Sequence, residues 1–310
     1  MSVNGNLKGH LCMALACIMW GLMAPIGKDA MTHGLNGIEM VTFRAVGGAI
    51  CFWITSLFVE RETVSARDMV RFFFAAMLSI VFNQCCYTIG LSITSPVNAS
   101  IMTTTMPIVT MILAALILRE PVTGKKVGGI VCGAVGASLL ITASVSPSAD
   151  GNLLGDMLCL GAQCSFALYL TLFKHLVSRY SVFTCMKWMM TYAAVVILPF
   201  SFSDLSALSW SSVPLSSWFE SAFVVVCGTF IAYICMMVGQ KNLRPTVVSM
   251  YNYVQPIVAC GVSVVLGLGK FGLLQGAAIA LVFSGVYLVT QSKSRRDVKI
   301  EQRAERNRNK

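Results

Sequence analysis

Residues 96–109 read PVNASIMTTTMPIV, and residues 245–258 read PTVVSMYNYVQPIV. Each stretch opens on a proline, meets a second proline eleven residues later and closes on Pro-Ile-Val. Pro96 pairs with Pro245 and Pro107 with Pro256 at one offset of 149 residues; Ser100 with Ser249, Ile130 with Ile279 and Gly136 with Gly285 keep it. The second half of the chain repeats the first. Matched prolines inside apolar segments of corresponding halves point to a binding site between the halves.

Composition puts both halves in lipid. Of the 310 residues, 56% are hydrophobic and 12% charged, about half the charged share of a water-soluble domain. Ten apolar stretches of span length follow one another, near 10–31, 37–59, 69–91, 96–118, 126–144, 153–173, 182–202, 218–240, 245–267 and 271–291. At about 1.5 Å per residue, each can cross a hydrocarbon core about 30 Å thick. A backbone in lipid must satisfy its own polar groups, and barrel strands would be about ten residues with strict alternation, so these stretches are helices. The expectation is an all-α membrane protein with ten transmembrane helices. The first stretch runs into Lys28 and Asp29 without a small-residue cleavage site, so it is expected to remain as helix 1.

Five helices per repeat is an odd number, so the second repeat must enter from the opposite side. Two inverted five-helix repeats, 8–144 and 152–291, are expected, followed by a basic cytoplasmic tail, 292–310. Threaded from an inside N-terminus, nineteen of the 23 Lys and Arg fall on the cytoplasmic side, eight of them in the tail. Only Lys28 and Lys270 face outward, while Arg44 and Lys187 fall within spans. The positive-inside rule then puts both termini in the cytoplasm, with a bacterial inner membrane as the expected location. The formal net charge of +10 reads as an anchor on anionic lipid rather than a nucleic-acid footprint. Nearly all twelve cysteines lie within spans and read as small packing residues; with no C-x-x-C pair and no His or carboxylate cluster beside them, neither metal nor cofactor is expected.

Topology gives the prolines a depth. Pro107 and Pro256 lie about eleven residues into helices 4 and 9, roughly 16 Å from opposite faces and so near the midplane. Proline has no amide donor and frees a carbonyl one turn earlier, so both helices are expected to kink there. Such carbonyls are tolerated where protein or water meets them. Kinks that merely shape helix packing are the competing reading.

Further markers are spread along the chain. Trp20-Gly21 falls against Phe166-Ala167 when Gly9 is laid on Gly155; Arg44 sits early in helix 2; Asn98-Ala99-Ser100 leads to Pro107. Arg119-Glu120 ends helix 4, and Gly128-Gly129 to Gly136 follow in helix 5. With this set the chain resembles the drug/metabolite transporter superfamily, in particular its EamA-like ten-helix branch, over about residues 8 to 291. The resemblance implies a transporter with a central cavity between two repeats, open alternately to either side, and export as its direction. The second repeat departs from the pattern where Gly269 answers Glu120.

An ionisable side chain inside a span costs about 2.5 to 3.5 kcal/mol, so each needs a reason. Arg44 either snorkels outward or pairs with Glu39, or it serves as an anion-attracting vestibule charge. Lys187 reads as a snorkelling anchor. No carboxylate lies near the middle of a helix, so a uniporter or exchanger is as compatible as a proton-coupled carrier. Neutral polar residues gather beside the kinks: Asn83, Gln84 and Tyr87 on helix 3, Asn98 and Thr103 on helix 4, Gln163 and Tyr169 on helix 6, Tyr233 on helix 8, and Asn252 and Gln255 on helix 9. Each alone reads as interhelical glue as readily as ligand contact. Trp20, Asn83, Tyr87, Asn98, Thr103, Gln163, Tyr169, Tyr233, Asn252 and Gln255 are the candidate contacts for a small-molecule substrate, a small organic metabolite or an amino acid. A flippase for a lipid-linked sugar is the nearer rival. A polytopic membrane enzyme would need a convergent nucleophile, acid/base pair or metal cluster, which the sequence does not offer.

Overall fold

The computed structural model describes residues 3–94, 96–143, 152–265 and 272–293, and every regular element among them is a helix. Helix α1 runs Val3–Thr32, α2 Gly37–Ser56, α3 Ala66–Ala76 and α4 Asn83–Ile93, with a π-helical segment, Met77–Phe82, joining α3 to α4. Then come α5 (Pro96–Thr103), α6 (Met106–Ile117) and α7 (Gly124–Ala143). The second half holds α8 (Leu153–Leu172), the short α9 (Lys174–Arg179), α10 (Val182–Ala207) and α11 (Leu215–Val225). A second π-helical segment, Val226–Ile231, leads into α12 (Ala232–Asn242), α13 (Pro245–Met250), a 3₁₀ turn at Tyr251–Tyr253, α14 (Val254–Val265) and α15 (Leu273–Thr290). Side-chain caps set several starts: Asn36 and Glu39 close a reciprocal capping box on α2, and Ser65, Asn152 and Ser181 accept from the first turns of α3, α8 and α10.

Among the described residues, eight helical runs are long and apolar enough to cross a bilayer: Asn6–Met23, Gly37–Ser56, Ala66–Gly90, Gly124–Thr142, Leu153–Leu172, Val182–Ala207, Leu215–Asn242 and Leu273–Thr290. Ile101–Ile117 is a shorter apolar run. The two other stretches expected as helices 4 and 9 are broken. α5 stops at Thr103 and α6 starts at Met106; α13 stops at Met250, and a 3₁₀ turn precedes α14. Both breaks fall about one turn before a proline, where Pro107 and Pro256 have no N–H to return to the carbonyl four residues back. Gly269 and the tail from residue 294 lie outside the described residues.

The 149-residue offset extends to the backbone. It carries α3 onto α11, one π-helical segment onto the other, α4 onto α12, the start of α5 onto that of α13 and the start of α7 onto that of α15. The first helices of the halves pair as Gly9 with Gly155: a Cβ on Gly239 would meet Met13 and the Gly9 carbonyl, and one on Gly90 would meet Cys159 and the Gly155 carbonyl.

Helix pairing follows the same rule. The most extensive contacts join α7 to α15, α2 to α10, α1 to α12 and α4 to α8. Exchanging the halves maps the first two pairs onto themselves and α1–α12 onto α8–α4. Between α7 and α15 the backbones touch: a Cβ on Gly129 would lie 2.7 Å from the Gly285 carbonyl oxygen, and one on Gly136 2.6 Å from that of Ala278. Gly128, grouped with these glycines in the sequence, faces open space. Leu11, Ile50, Phe74, Leu116, Phe200 and Leu273 are exposed. With lipid outside, small residues and hydrogen bonds must hold the helices together.

Candidate functional site

Each π-helical segment offsets the i→i−4 ladder and leaves a carbonyl for an outside donor. In the second half Trp20 Nε1 of α1 donates to Gly228 O at 3.0 Å; in the first, Ser165 Oγ of α8 donates to Leu78 O at 2.6 Å. Thr229, one residue beyond Gly228, turns its hydroxyl back toward α11, donating to Val224 O at 3.0 Å. That leaves its oxygen to accept from Arg44 Nε of α2, also at 3.0 Å.

Thr229 lies at the middle of the Leu215–Asn242 run, so Arg44 reaches toward the centre of the bundle rather than outward. Glu39 does not pair with it; that carboxylate accepts from Asn36 N at 2.7 Å in the α2 cap. Among the described residues no carboxylate lies within salt-bridge distance of Arg44. One turn beyond Thr229, the Tyr233 hydroxyl is near enough to Arg44 for electrostatic interaction. The Tyr233 ring meets Trp20 edge-on with centroids 5.9 Å apart, and its hydroxyl accepts from Gln84 Nε2 at 3.2 Å. Gln84 is 6% exposed, and its Oε1 is buried without a hydrogen-bond partner among the described residues.

A second cluster lies at the break before α14. Gln255 Nε2 donates to Asn252 Oδ1 at 3.2 Å, and Asn252 Nδ2 contacts Met106 Sδ. Tyr253 OH donates to Thr104 O at 3.0 Å, tying one break to the other. Helix α1 joins the two clusters, since Cys17 contacts the Gln255 side chain and Gly21 packs against Val258 and the Gln255 carbonyl.

The remaining candidates are distributed around these two. Asn83 Nδ2 donates to Ala162 O at 2.9 Å, and Tyr169 OH donates to Gln240 Oε1 at the same distance, both bridging helices. Gln163 is buried; Tyr87 and Thr103 are half-buried. Asn98 belongs to α5, and its side chain lies outside the described residues. Thr229, Gly228 and Gln240 are positions that sequence reasoning passed over, and Gln84, named beside the kinks, was not among the candidate contacts. Gln84 was within reach of it, because it stands 149 residues from Tyr233.

One end of the bundle is closed by charge. Glu120, 8% exposed, accepts from Lys126 Nζ at 2.9 Å and from Thr246 Oγ1 at 3.0 Å. Lys174 Nζ donates to the carbonyls of Gln240 and Leu243 at the end of α12, and burial brings its ammonium down to about 8, against the opposing pull of nearby Glu120. Asp68 accepts from Arg71, Arg179 and Tyr180 OH at 2.9, 2.7 and 2.8 Å. Lys187, by contrast, sits over the rings of Trp53 and Trp188, 4.7 and 5.7 Å from their centroids, as an interfacial cation does.

Comparison with known proteins finds the same chain organisation elsewhere. The model of the EamA-like transporter family matches twice, over residues 7–142 and 153–291. An uncharacterized transporter of Bacillus subtilis, YyaM, is 25% identical, with 86% of this chain and 84% of that protein covered. The protein WALLS ARE THIN 1 of Arabidopsis thaliana is 24% identical, with 94% and 85% covered. A solved crystal structure superposes with a TM-score of 0.75 at 14% identity, covering 94% of this chain and 97% of that one, a likeness of fold.

Proposed function

The chain belongs to the EamA-like transporter family, and from that premise we propose that it carries a small organic metabolite or amino acid across a bacterial inner membrane by alternating access. Ten transmembrane helices in two inverted five-helix repeats, 8–144 and 152–291, rock against each other around a site at mid-depth, with both termini cytoplasmic and export as the direction. One observation carries the reading: both helix breaks fall one turn before matched prolines, and polar side chains gather around them. Support comes also from the contacts Gln84–Tyr233 and Thr104–Tyr253. Each joins residues 149 apart, as expected for positions beside a two-fold axis relating the repeats.

A flippase for a lipid-linked sugar would use paired cations on a diphosphate. Arg44 is bonded to Thr229, while Lys187 lies on Trp53 and Trp188, so the two cations serve different places. The test is a flux screen: purified protein in proteoliposomes, with a panel of amino acids and metabolites presented on either side. Absence of transport by folded protein across a broad panel would overturn the proposal. Competition by lipid-linked compounds alone would transfer it to the flippase.

A further inference from the structure

We propose that Arg44, Gln84 and Tyr233 form the subsite for a carboxylate on the transported solute, an inference that rests on the transporter reading. Four observations meet there. A guanidinium stands within the bilayer with no carboxylate beside it among the described residues. Among the described residues the guanidinium is hydrogen-bonded through its Nε, to Thr229, which holds the plane of the group and leaves the Nη atoms as a fork for a two-oxygen anion.

Gln84 supplies the third observation. Its amide is buried and half-used: Nε2 meets Tyr233 OH, and Oε1 meets nothing among the described residues. Turning the amide over would exchange which atom is left, so either orientation leaves one buried polar atom unmatched. Buried polar atoms are matched as a rule, so an exception calls for an explanation, and beside a guanidinium a ligand atom supplies one. The fourth is location. Gln84 and Tyr233 are equivalent positions of the two halves and touch each other, which places the subsite at the seam that alternating access must expose to both sides in turn.

Charge decides the class of ligand. A lone cation at this depth attracts an anion, and a planar fork suits a carboxylate bound through both oxygens. The Trp20 and Tyr233 rings, edge to face beside it, offer an apolar wall for the rest of the solute. The subsite therefore selects carboxylic acids, including zwitterionic amino acids, over uncharged molecules of the same shape.

The experiment compares acids with their neutral isosteres on the purified full-length chain. Benzoate is set against benzamide, and N-acetylalanine against N-acetylalaninamide, with saturable thermal stabilisation as the readout. The acids are expected to bind roughly ten-fold or more tightly than the amides. Arg44→Gln should remove the difference, Arg44→Lys should keep part of it because the charge stays and the fork is lost, and Gln84→Leu should weaken the acids several-fold. If Arg44→Gln does not fold, Arg44→Lys and Gln84→Leu carry the comparison. Equal binding of acid and amide, wild-type binding by folded Arg44→Gln, or no saturable binding of either acid would overturn the proposal. Arg44-dependent acid binding without flux of any metabolite would remove the transporter reading and keep the subsite. Flux of uncharged solutes without acid binding would do the reverse.

Discussion

Replacing Gly285 by alanine tests the α7–α15 seam, where the two halves meet backbone to backbone. The added Cβ would lie 2.5 Å from Gly129 O, 2.7 Å from Gly133 N and 3.0 Å from Gly133 Cα, whereas ordinary contact starts at 3.4 Å. All three are main-chain atoms and cannot rotate aside, so the helices must part by about 0.9 Å, the shortfall between 3.4 and 2.5 Å. Overpacking of this kind costs about 3 kcal/mol where nothing yields. Alanine returns about 1 kcal/mol of helix propensity. The net loss is about 2 kcal/mol, or a fall of about 4 °C in thermal midpoint for a chain of this size. Gly136→Ala, whose Cβ would meet Ala278 O at 2.6 Å, should fall by a similar amount. Gly128→Ala has nothing within 4 Å and should hold or gain stability. Melting of the detergent-purified variants, followed by loss of the monodisperse peak, measures all three. If Gly285→Ala melts with Gly128→Ala, the seam does not govern stability and the packing argument fails.

Three further outcomes are expected. Pro107→Ala and Pro256→Ala restore a backbone donor one turn after each break, so flux should fall about ten-fold while the thermal midpoint holds or rises; wild-type flux in both would refute the role of the breaks. Lys126→Met leaves Glu120 buried without its cation and should cost about 3 to 5 kcal/mol, with much of it recovered when Glu120→Gln is added; additive losses in thermal melts would contradict a coupled pair. Lys174 titrates at about 8 in the folded protein against an ordinary 10.5, so the unfolded chain binds more protons between those values and this residue's contribution to stability rises with pH across that window. Melting curves from pH 7 to 10 should show that rise flattened in Lys174→Met, and an unchanged slope would argue against the lowering of the Lys174 ammonium by burial.

Much of the architecture was legible because proline and glycine act locally. The pairs Pro107–Pro256 and Gly136–Gly285 mark where a helix cannot continue and where two backbones can approach, whatever surrounds them. Partners across the bundle were less legible. From helix periodicity, Asn83 and Tyr87 share a face, yet Gln84 is the helix 3 residue that meets Tyr233. The π-helical segments turn α4 relative to α3, and α12 relative to α11, and they leave no composition signal. Arg44 had three readings in the sequence. Only the position of Thr229, which its segment presents toward α2, draws the guanidinium inward.

The sequence by itself determined the solvent, the helical class and the duplication, because apolar length, backbone satisfaction in lipid and a constant 149-residue offset need no knowledge of contacts. The tertiary structure decided which polar groups are satisfied and which are not. Asn83 and Tyr169 find partners on neighbouring helices, Arg44 is turned onto Thr229, and Gln84 Oε1 is buried without a hydrogen-bond partner among the described residues. That difference depends on the rotation and spacing of packed helices. Single-chain patterns leave those degrees of freedom open until the halves close on one another.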